Sequence, residues 1–171
     1  MIKKKELQKI FNKYNKNNNW LAGNFIPPEE KERYRIMFIG EKPSYYFKKR
    51  ENLRSLGNYN ATSTDKSLHC YLQKYNIGKI YITDMVKTEG KSGADFKKEW
   101  NSDFEECLRA EIDYYKPKLI VFISKDVEKL FKNYFSDLEI ETFGIHHPSY
   151  VFRWNKYKEW DNQFKELKGK I

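Results

Sequence analysis

Four short apolar segments, each followed by a cluster of polar residues, alternate with amphipathic segments along this chain. The apolar segments cover about residues 34–39, 79–85, 118–124 and 138–143, and the third, KLIVFIS, is the most strongly apolar. Strands that alternate with helices are typical of a mostly parallel sheet with helices on both of its faces. The sequence therefore predicts an α/β fold, a three-layer α/β/α sandwich around a central, mostly parallel four-stranded sheet.

Amphipathic segments with helical periodicity fill the intervals between these strands. Leu7, Ile10, Phe11 and Tyr14 follow an i, i+3, i+4, i+7 pattern, which predicts an N-terminal helix over about residues 4–14. Further helices are expected over about 65–75, 95–115, 125–135 and 154–168. Because no repeat or low-complexity linker interrupts the chain, we expect a single domain over residues 1–171 with its core at about 34–155.

The composition favours a polyanionic partner. The 33 Lys and Arg residues outnumber the 24 Asp and Glu residues, which gives a formal charge of +9. This excess favours nucleic acid before an anionic membrane surface, although a genome-wide preference for Lys would produce the same balance. Two widely separated cysteines, and no stretch near the ~18 apolar residues of a membrane helix, predict a soluble cytoplasmic protein without disulfides. We expect a monomer.

The polar clusters after the four strands should meet at one edge of the sheet. They are GEKPS (40–44), TDMVK (83–87), Ser124–Asp126 and HHPS (146–149). Right-handed crossovers bring the carboxyl ends of parallel strands to the same edge, where ligands bind in open α/β sheets. No phosphate-loop pattern is present, and the histidines and cysteines lack the spacing of metal ligands, so we expect no metal site.

In this order the clusters resemble the motifs of the uracil-DNA glycosylase superfamily. Its first motif has the form G-x-x-P-G/S after the first strand, and its last is H-P-S, followed by a residue that wedges into the duplex. The resemblance covers about residues 34–155, and GEKPS is closest to the GEAPG motif of the iron–sulfur branch. It implies a glycosylase that hydrolyses the N-glycosidic bond of uracil or another deaminated base in DNA, as in base excision repair.

The resemblance assigns the catalytic roles to two residues. Glu41 would orient water and stabilise the cationic sugar, and His147 would donate a hydrogen bond to O2 of the departing base. Gly40 and the turn that follows it would surround the base with backbone N–H groups. An aromatic side chain should stack on the flipped base, and the sequence does not choose among its three candidates, Tyr45, Tyr46 and Tyr59.

The resemblance also implies a set of contacts to DNA. Residues near the first, second and last motifs are the candidates for binding phosphates, namely Lys42, Ser44, Lys87 and Ser149. The wedge that fills the space left by the flipped nucleotide would come from Tyr150, Val151, Phe152 or Arg153.

Asp84 departs from the family pattern, in which many members carry an Asn that reads uracil. An amide donates to O4 and accepts from N3–H, whereas an ionised carboxylate only accepts. Either Asp84 is protonated and imitates the amide, or it favours a base with an exocyclic amino group, or it points away from the base. The preferred base therefore stays open.

Two further departures concern the cluster and the loop after GEKPS. Cys107 lies where the iron–sulfur branch has its last cysteine ligand, but Thr88 stands where another ligand would be, and no CxxC precedes them. Since such a cluster needs four thiolates, we expect no iron and no other cofactor. The loop lacks the acidic and Pro-Phe features of that branch, which leaves the stacking residue least well determined.

Two other functions remain open at this point. The same fold could bind DNA or a modified base without cleaving it, a possibility that Asp84 motivates. A third possibility is an α/β enzyme that acts on a free nucleoside or nucleotide, motivated only by the site at the sheet edge. Salt-sensitive binding to oligonucleotides would separate the two DNA-directed functions from the third.

Overall fold

A four-stranded parallel sheet forms the centre of the structure, a computed structural model that describes residues 2–14, 35–43, 63–78, 80–88 and 96–171. The strands are β1 (Ile36–Gly40), β2 (Ile80–Asp84), β3 (Leu119–Ile123) and β4 (Glu141–Ile145), and they are ordered β2-β1-β3-β4. The first three strands are buried along their whole length, as expected where helices cover both faces of a parallel sheet.

Helices form the two outer layers. They are α1 (Lys4–Tyr14), α2 (Ser63–Lys74), α3 (Phe96–Glu99), α4 (Ser102–Tyr115), α5 (Lys125–Tyr134), α6 (Pro148–Trp154) and α7 (Tyr157–Lys170). Helices α4 and α5 pack on the face that carries Met37 and Phe122, whereas α2, α6 and α7 pack on the face that carries Phe38 and Val121. This arrangement confirms the predicted three-layer fold. Within the described residues, no helix is long and apolar enough to cross a membrane.

The two central strands define a crevice at the carboxyl edge of the sheet. Helix α2, which follows β1, lies on one face of the sheet, and α5, which follows β3, lies on the other. Since the chain leaves these adjacent strands in opposite directions, the ends of β1 and β3 form the topological switch point, where ligands bind in open α/β sheets.

Two element boundaries differ from the sequence-based expectation. The helix expected over 95–115 is split into α3 and α4, because the Asn101 side chain accepts hydrogen bonds from the backbone N–H groups of Asp103 and Phe104 and caps a new helix. The fourth strand begins at Glu141 rather than Leu138, because Leu138 packs against the α4–α5 face instead of pairing with β3.

Helix α6 was not expected from the sequence, which had predicted only one helix near the C-terminus. His147 is its N-cap, Pro148 occupies the first turn, and Asn155 ends it in the left-handed conformation with φ 52°. Proline is favoured in the first turn of a helix because its missing N–H would have no helical partner there. This short helix carries the last motif and the predicted wedge residues.

Candidate active site

Glu41 stands directly after β1, at the switch point. The backbone of the loop is fixed on the β2 side, where Met85 N donates to the carbonyl of Gly40 at 2.9 Å and Val86 N to the carbonyl of Glu41 at 3.0 Å. These bonds continue the parallel ladder past the last register pair, Gly40 with Asp84. The Glu41 carboxylate is therefore held at the rim of the sheet and is only partly buried.

Ser124, the first residue after β3, contacts Glu41 across the switch point. Its Oγ donates to Oε1 of Glu41 at 3.2 Å and accepts from the backbone N–H of Val127 at 3.3 Å, which caps α5. The sequence located Ser124 at the sheet edge but assigned it no role. From sequence alone, a serine at the start of a helix indicates only an N-cap. The contact of Ser124 with Glu41 could therefore not be predicted.

Asp84 ends β2 and is 2% exposed. It pairs in register with Gly40, so it lies next to Glu41 on the neighbouring strand. A carboxyl group at the sheet edge and so deeply buried is suited to contact a ligand that enters the crevice rather than to interact with bulk water. This position is compatible with the predicted role in reading the base.

Lys87 lies in a buried polar cluster formed with Tyr81, Thr83 and Glu111. Its Nζ donates to Glu111 Oε2 at 2.6 Å, to Thr83 Oγ1 at 2.7 Å and to the carbonyl of Asp84 at 2.7 Å. Tyr81 and Thr83 donate to the same carboxylate at 2.6 and 2.9 Å, and burial, followed by the Glu111 charge, raises the pKa of Tyr81 well above its usual value. We call this group the Lys87 cluster.

The geometry of the Lys87 cluster argues against the predicted phosphate contact. An ammonium has three donors, and all three are used inside the protein, where Lys87 is 5% exposed. The lysine instead fixes the backbone that follows β2. Its partner Glu111 lies on the buried face of α4, and a carboxylate on an otherwise apolar helix face is the sequence signal that could have revealed the pair.

Lys42 is also turned inward. Its ammonium forms an ion pair with Glu99 at 2.5 Å, with the lysine side chain 7% exposed, and Thr88 donates to the other oxygen of Glu99 at 3.3 Å. The pair joins the loop after β1 to α3, so the geometry argues against Lys42 as a phosphate ligand as well.

His147 lies two residues beyond β4 and presents a defined hydrogen-bonding pattern. Its Nδ1 accepts the backbone N–H of Ser149 at 3.1 Å, and the Ser149 hydroxyl lies 2.7 Å from the same nitrogen. Because Nδ1 acts as an acceptor, the hydrogen of the neutral ring is on Nε2. His147 is thus prepared as a donor through Nε2. Ser149, predicted as a phosphate contact, fixes this tautomer.

Helix α6 exposes large aromatic side chains next to His147. Tyr150, Phe152 and Trp154 are 42%, 66% and 61% exposed, and Arg153 between them is exposed too. Val151 is completely buried against the α2–α7 layer and cannot be a wedge. Trp154 was missed by the sequence reasoning, although a tryptophan directly after the last wedge candidate, Arg153, was a visible signal.

Four predicted site residues lie outside the described ranges. They are Ser44, Tyr45, Tyr46 and Tyr59. The stacking residue and the end of the first motif therefore remain predictions.

The cysteines do not form a metal centre in the described part of the chain. Cys107 is buried between α1 and α4 against Leu7 and Phe11, and burial raises the pKa of its thiol to about 12, so the metal-binding thiolate is disfavoured. Cys70 is exposed on α2. The two cysteines of the sequence cannot supply four ligands, and no group of three or more His, Cys, Asp or Glu in the described ranges is arranged to hold a metal ion.

The three side chains with predicted roles in catalysis or base recognition thus lie at the carboxyl ends of three different strands, at one edge of the sheet. Glu41 follows β1, Asp84 ends β2, and His147 follows β4, so about 10 Å separates the strands of Glu41 and His147. A comparison with protein-family models matches residues 27–168 to the uracil DNA glycosylase superfamily. The chain belongs to this superfamily. A search of the curated proteins gave no match.

Membership of the uracil DNA glycosylase superfamily agrees with the observed fold. It supports a glycosylase-fold protein, in a family that acts on DNA. Within that fold, an acid and a histidine donor flank the crevice from either side. Such a pair can stabilise a cation on one side and a developing anion on the other.

Proposed function

We propose that this protein is a DNA glycosylase that hydrolyses the N-glycosidic bond of uracil or another deaminated base. The observation that supports it most strongly is the arrangement of Glu41 and His147 on either side of the switch point in a superfamily fold. We also propose that the protein is a monomer and that it acts in the cytoplasm.

In this reaction the bond between C1′ and the base nitrogen breaks and its electron pair leaves with the base. Water forms the new bond to C1′, and its proton passes to Glu41 or to solvent. The Glu41 carboxylate orients the water and stabilises the positive charge on the sugar. The Nε2–H of His147, whose tautomer follows from the Ser149 contact, donates to a carbonyl oxygen of the departing base.

The exposed surface of α6 would bind the DNA around the flipped nucleotide. Phe152 and Trp154 are the most exposed of its aromatic side chains, and aromatic rings stack on bases of any sequence. Arg153 would contact a phosphate. With Lys42 and Lys87 held in the interior, this helix becomes the main candidate for DNA contact among the described residues.

Asp84 would meet the edge of the base in the pocket. If protonated it would imitate an amide, and if ionised it would select a base that donates from an exocyclic amino group. Replacing it by Asn restores the residue found in many superfamily members. Asp84→Asn should therefore increase the rate on uracil, and an unchanged rate on every base would exclude Asp84 from recognition.

The experiment that tests this function uses end-labelled oligonucleotides with uracil, hypoxanthine or xanthine, single-stranded and opposite each base. After incubation with protein, alkali breaks any abasic site. Cleavage by the wild type that falls about 10²- to 10⁴-fold in Glu41→Gln would support the proposal, a range typical of catalytic acids and bases. Tyr134→Phe, an exposed residue of α5, is the matched control and should retain full activity.

A second candidate is a protein that binds DNA without cleaving it, favoured by Asp84 in the place of the Asn. Tight, salt-sensitive binding without cleavage of any substrate would support this alternative. If the protein neither binds nor cleaves any of these oligonucleotides, both DNA-directed functions are contradicted.

A further inference from the structure

Ser124 has a backbone conformation that is rarely accessible to residues with a side chain. Its φ is 135° and its ψ 155°, a region populated essentially by glycine alone. The other non-glycine residues with positive φ in the described ranges have φ between 46° and 52°, in the left-handed helical region that side chains tolerate better. Ser124 is therefore strained where a glycine would not be.

The hydroxyl of Ser124 offers an explanation for this strain. The Val127 N–H occupies a lone pair of Oγ, and the single hydroxyl hydrogen is directed to Oε1 of Glu41. A glycine would relieve the strain but would lose both bonds. Glycine is nearly as good as serine at an N-cap, so capping alone does not explain the serine, whereas the bond to Glu41 does.

Ser124 lies where it can orient Glu41 from the neighbouring strand. It follows β3, and Glu41 follows the adjacent strand β1, so their bond spans the switch point. The backbone of Glu41 is fixed from the β2 side by Val86. Glu41 is thus held from two sides. Its backbone is bonded to the segment after β2, and its carboxylate is bonded to Ser124 after β3.

We propose that Ser124 is a positioning residue that sets the orientation of the Glu41 carboxylate for catalysis, and that its backbone strain is retained for this purpose. The proposal rests on the proposed glycosylase function. It assigns Ser124 no contact with substrate. It predicts that the reaction rate depends on the Ser124 hydroxyl, whereas the stability of the protein depends on the backbone strain at this position.

The test compares Ser124→Gly with Ser124→Ala. The glycine variant should melt at an unchanged or higher temperature but lose about 10- to 100-fold in single-turnover rate, the size of a hydrogen bond to a charged group. Its affinity for undamaged oligonucleotide should not change. The alanine variant keeps the strain and loses the hydroxyl, so it should lose the same rate and melt at a lower temperature than Ser124→Gly.

Two controls separate positioning from capping. Asn101→Gly removes the N-cap of α4, whose side chain makes no contact with Glu41, and should leave the rate unchanged. In a Glu41→Gln background, Ser124→Gly should cause no further loss of rate. A full rate in Ser124→Gly, or the same loss in both backgrounds, would overturn the proposal.

A readout independent of activity distinguishes failure of this proposal from failure of the glycosylase function. In carboxyl-¹³C-glutamate-labelled protein, the Glu41 resonance is assigned by its absence from Glu41→Gln. It should move in Ser124→Gly and stay in place in Asn101→Gly, whether or not the protein cleaves DNA. An unmoved resonance would contradict the contact itself.

Discussion

The loops after β1 and β2 differ from helix α6 in where their side chains point. The lysine side chains of the loops are buried, whereas the charged and aromatic side chains of α6 are exposed. In the loops, Lys42 and Lys87 are turned inward and paired with Glu99 and Glu111. On α6, Arg153 and three large aromatic side chains face solvent. The lysines of the two loops are therefore used in ion pairs within the protein, whereas α6 has an exposed surface that can contact a partner.

This difference shows that a lysine beside a motif is not by itself a DNA contact. A buried lysine is rarely found without a partner, because removing its charge from water is costly. Each of the two lysines has a carboxylate from a helix as its partner, and each thereby fixes the backbone next to Glu41 or Asp84. The basic residues of the loops support the site, while α6 offers the surface for binding.

The largest effect should come from breaking the Lys87 cluster. Lys87→Met leaves the Glu111 carboxylate buried without its cation, so the free energy of unfolding should fall by about 3–5 kcal/mol. Denaturant unfolding followed by circular dichroism measures this change. Lys132→Met removes an exposed i, i+4 pair with Glu128 and should cost about 0.5 kcal/mol or less.

A second variant sharpens this test of the interior. Adding Glu111→Leu to Lys87→Met removes the uncompensated buried charge and should recover part of the lost stability, although the Tyr81 and Thr83 hydroxyls lose their acceptor. A small loss in Lys87→Met, similar to that of Lys132→Met, would mean that Lys87 is exposed to solvent. The comparison between the two sides of the crevice would then fail.

The next largest effect should come from His147, on the α6 side. His147→Ala removes the donor to the departing base and should lower the single-turnover rate about 10²- to 10³-fold. His146→Ala is the matched control for this rate, because the His146 ring lies 3.5 Å from Glu159 and packs against Tyr150, and it lacks the Ser149 contact that defines the His147 donor. Equal losses in the two variants would contradict the assignment of His147.

The aromatic side chains of α6 should affect binding more moderately. Stacking on a base contributes about 1–3 kcal/mol, so Trp154→Ala and Phe152→Ala should each weaken binding to a single-stranded oligonucleotide accordingly. Fluorescence anisotropy of the labelled oligonucleotide measures the affinity. Tyr134→Ala removes an exposed aromatic ring on α5 and should leave it unchanged. Unaltered affinity in both α6 variants would remove this surface from the DNA interface.

The sequence predicted the fold well because the sheet depends on local patterns. Each of the first three strands is a run of five buried residues, and the helices between them carry clear apolar stripes. The ends of β4 and the split at Asn101 were missed because capping and strand register depend on contacts that a single segment does not reveal. Helix α6 was missed because seven residues are too few for a periodic pattern.

The candidate site was predictable in its order but not in its contacts. Glu41, Asp84 and His147 could be found because each follows a strand, and parallel topology brings strand ends to one edge. The partners of Lys87 and Ser124 lie 24 and 83 residues away along the chain. For Lys87 the one sequence signal was Glu111 on an otherwise apolar helix face, whereas the contact of Ser124 leaves no mark in the sequence, so a strained serine looks like a surface residue.

The smallest predicted effect compares a charge from each side of the crevice. Arg153→Ala on α6 should remove one phosphate contact, so the slope of log affinity against log salt should fall by about 1. Lys42→Ala should leave the slope unchanged, because the Lys42 side chain is 7% exposed and its charge is already paired with Glu99. Titrations of an undamaged oligonucleotide at several salt concentrations measure both slopes without depending on catalysis. A slope that falls in Lys42→Ala and not in Arg153→Ala would reverse the comparison, since the loops would then carry the DNA and α6 would not.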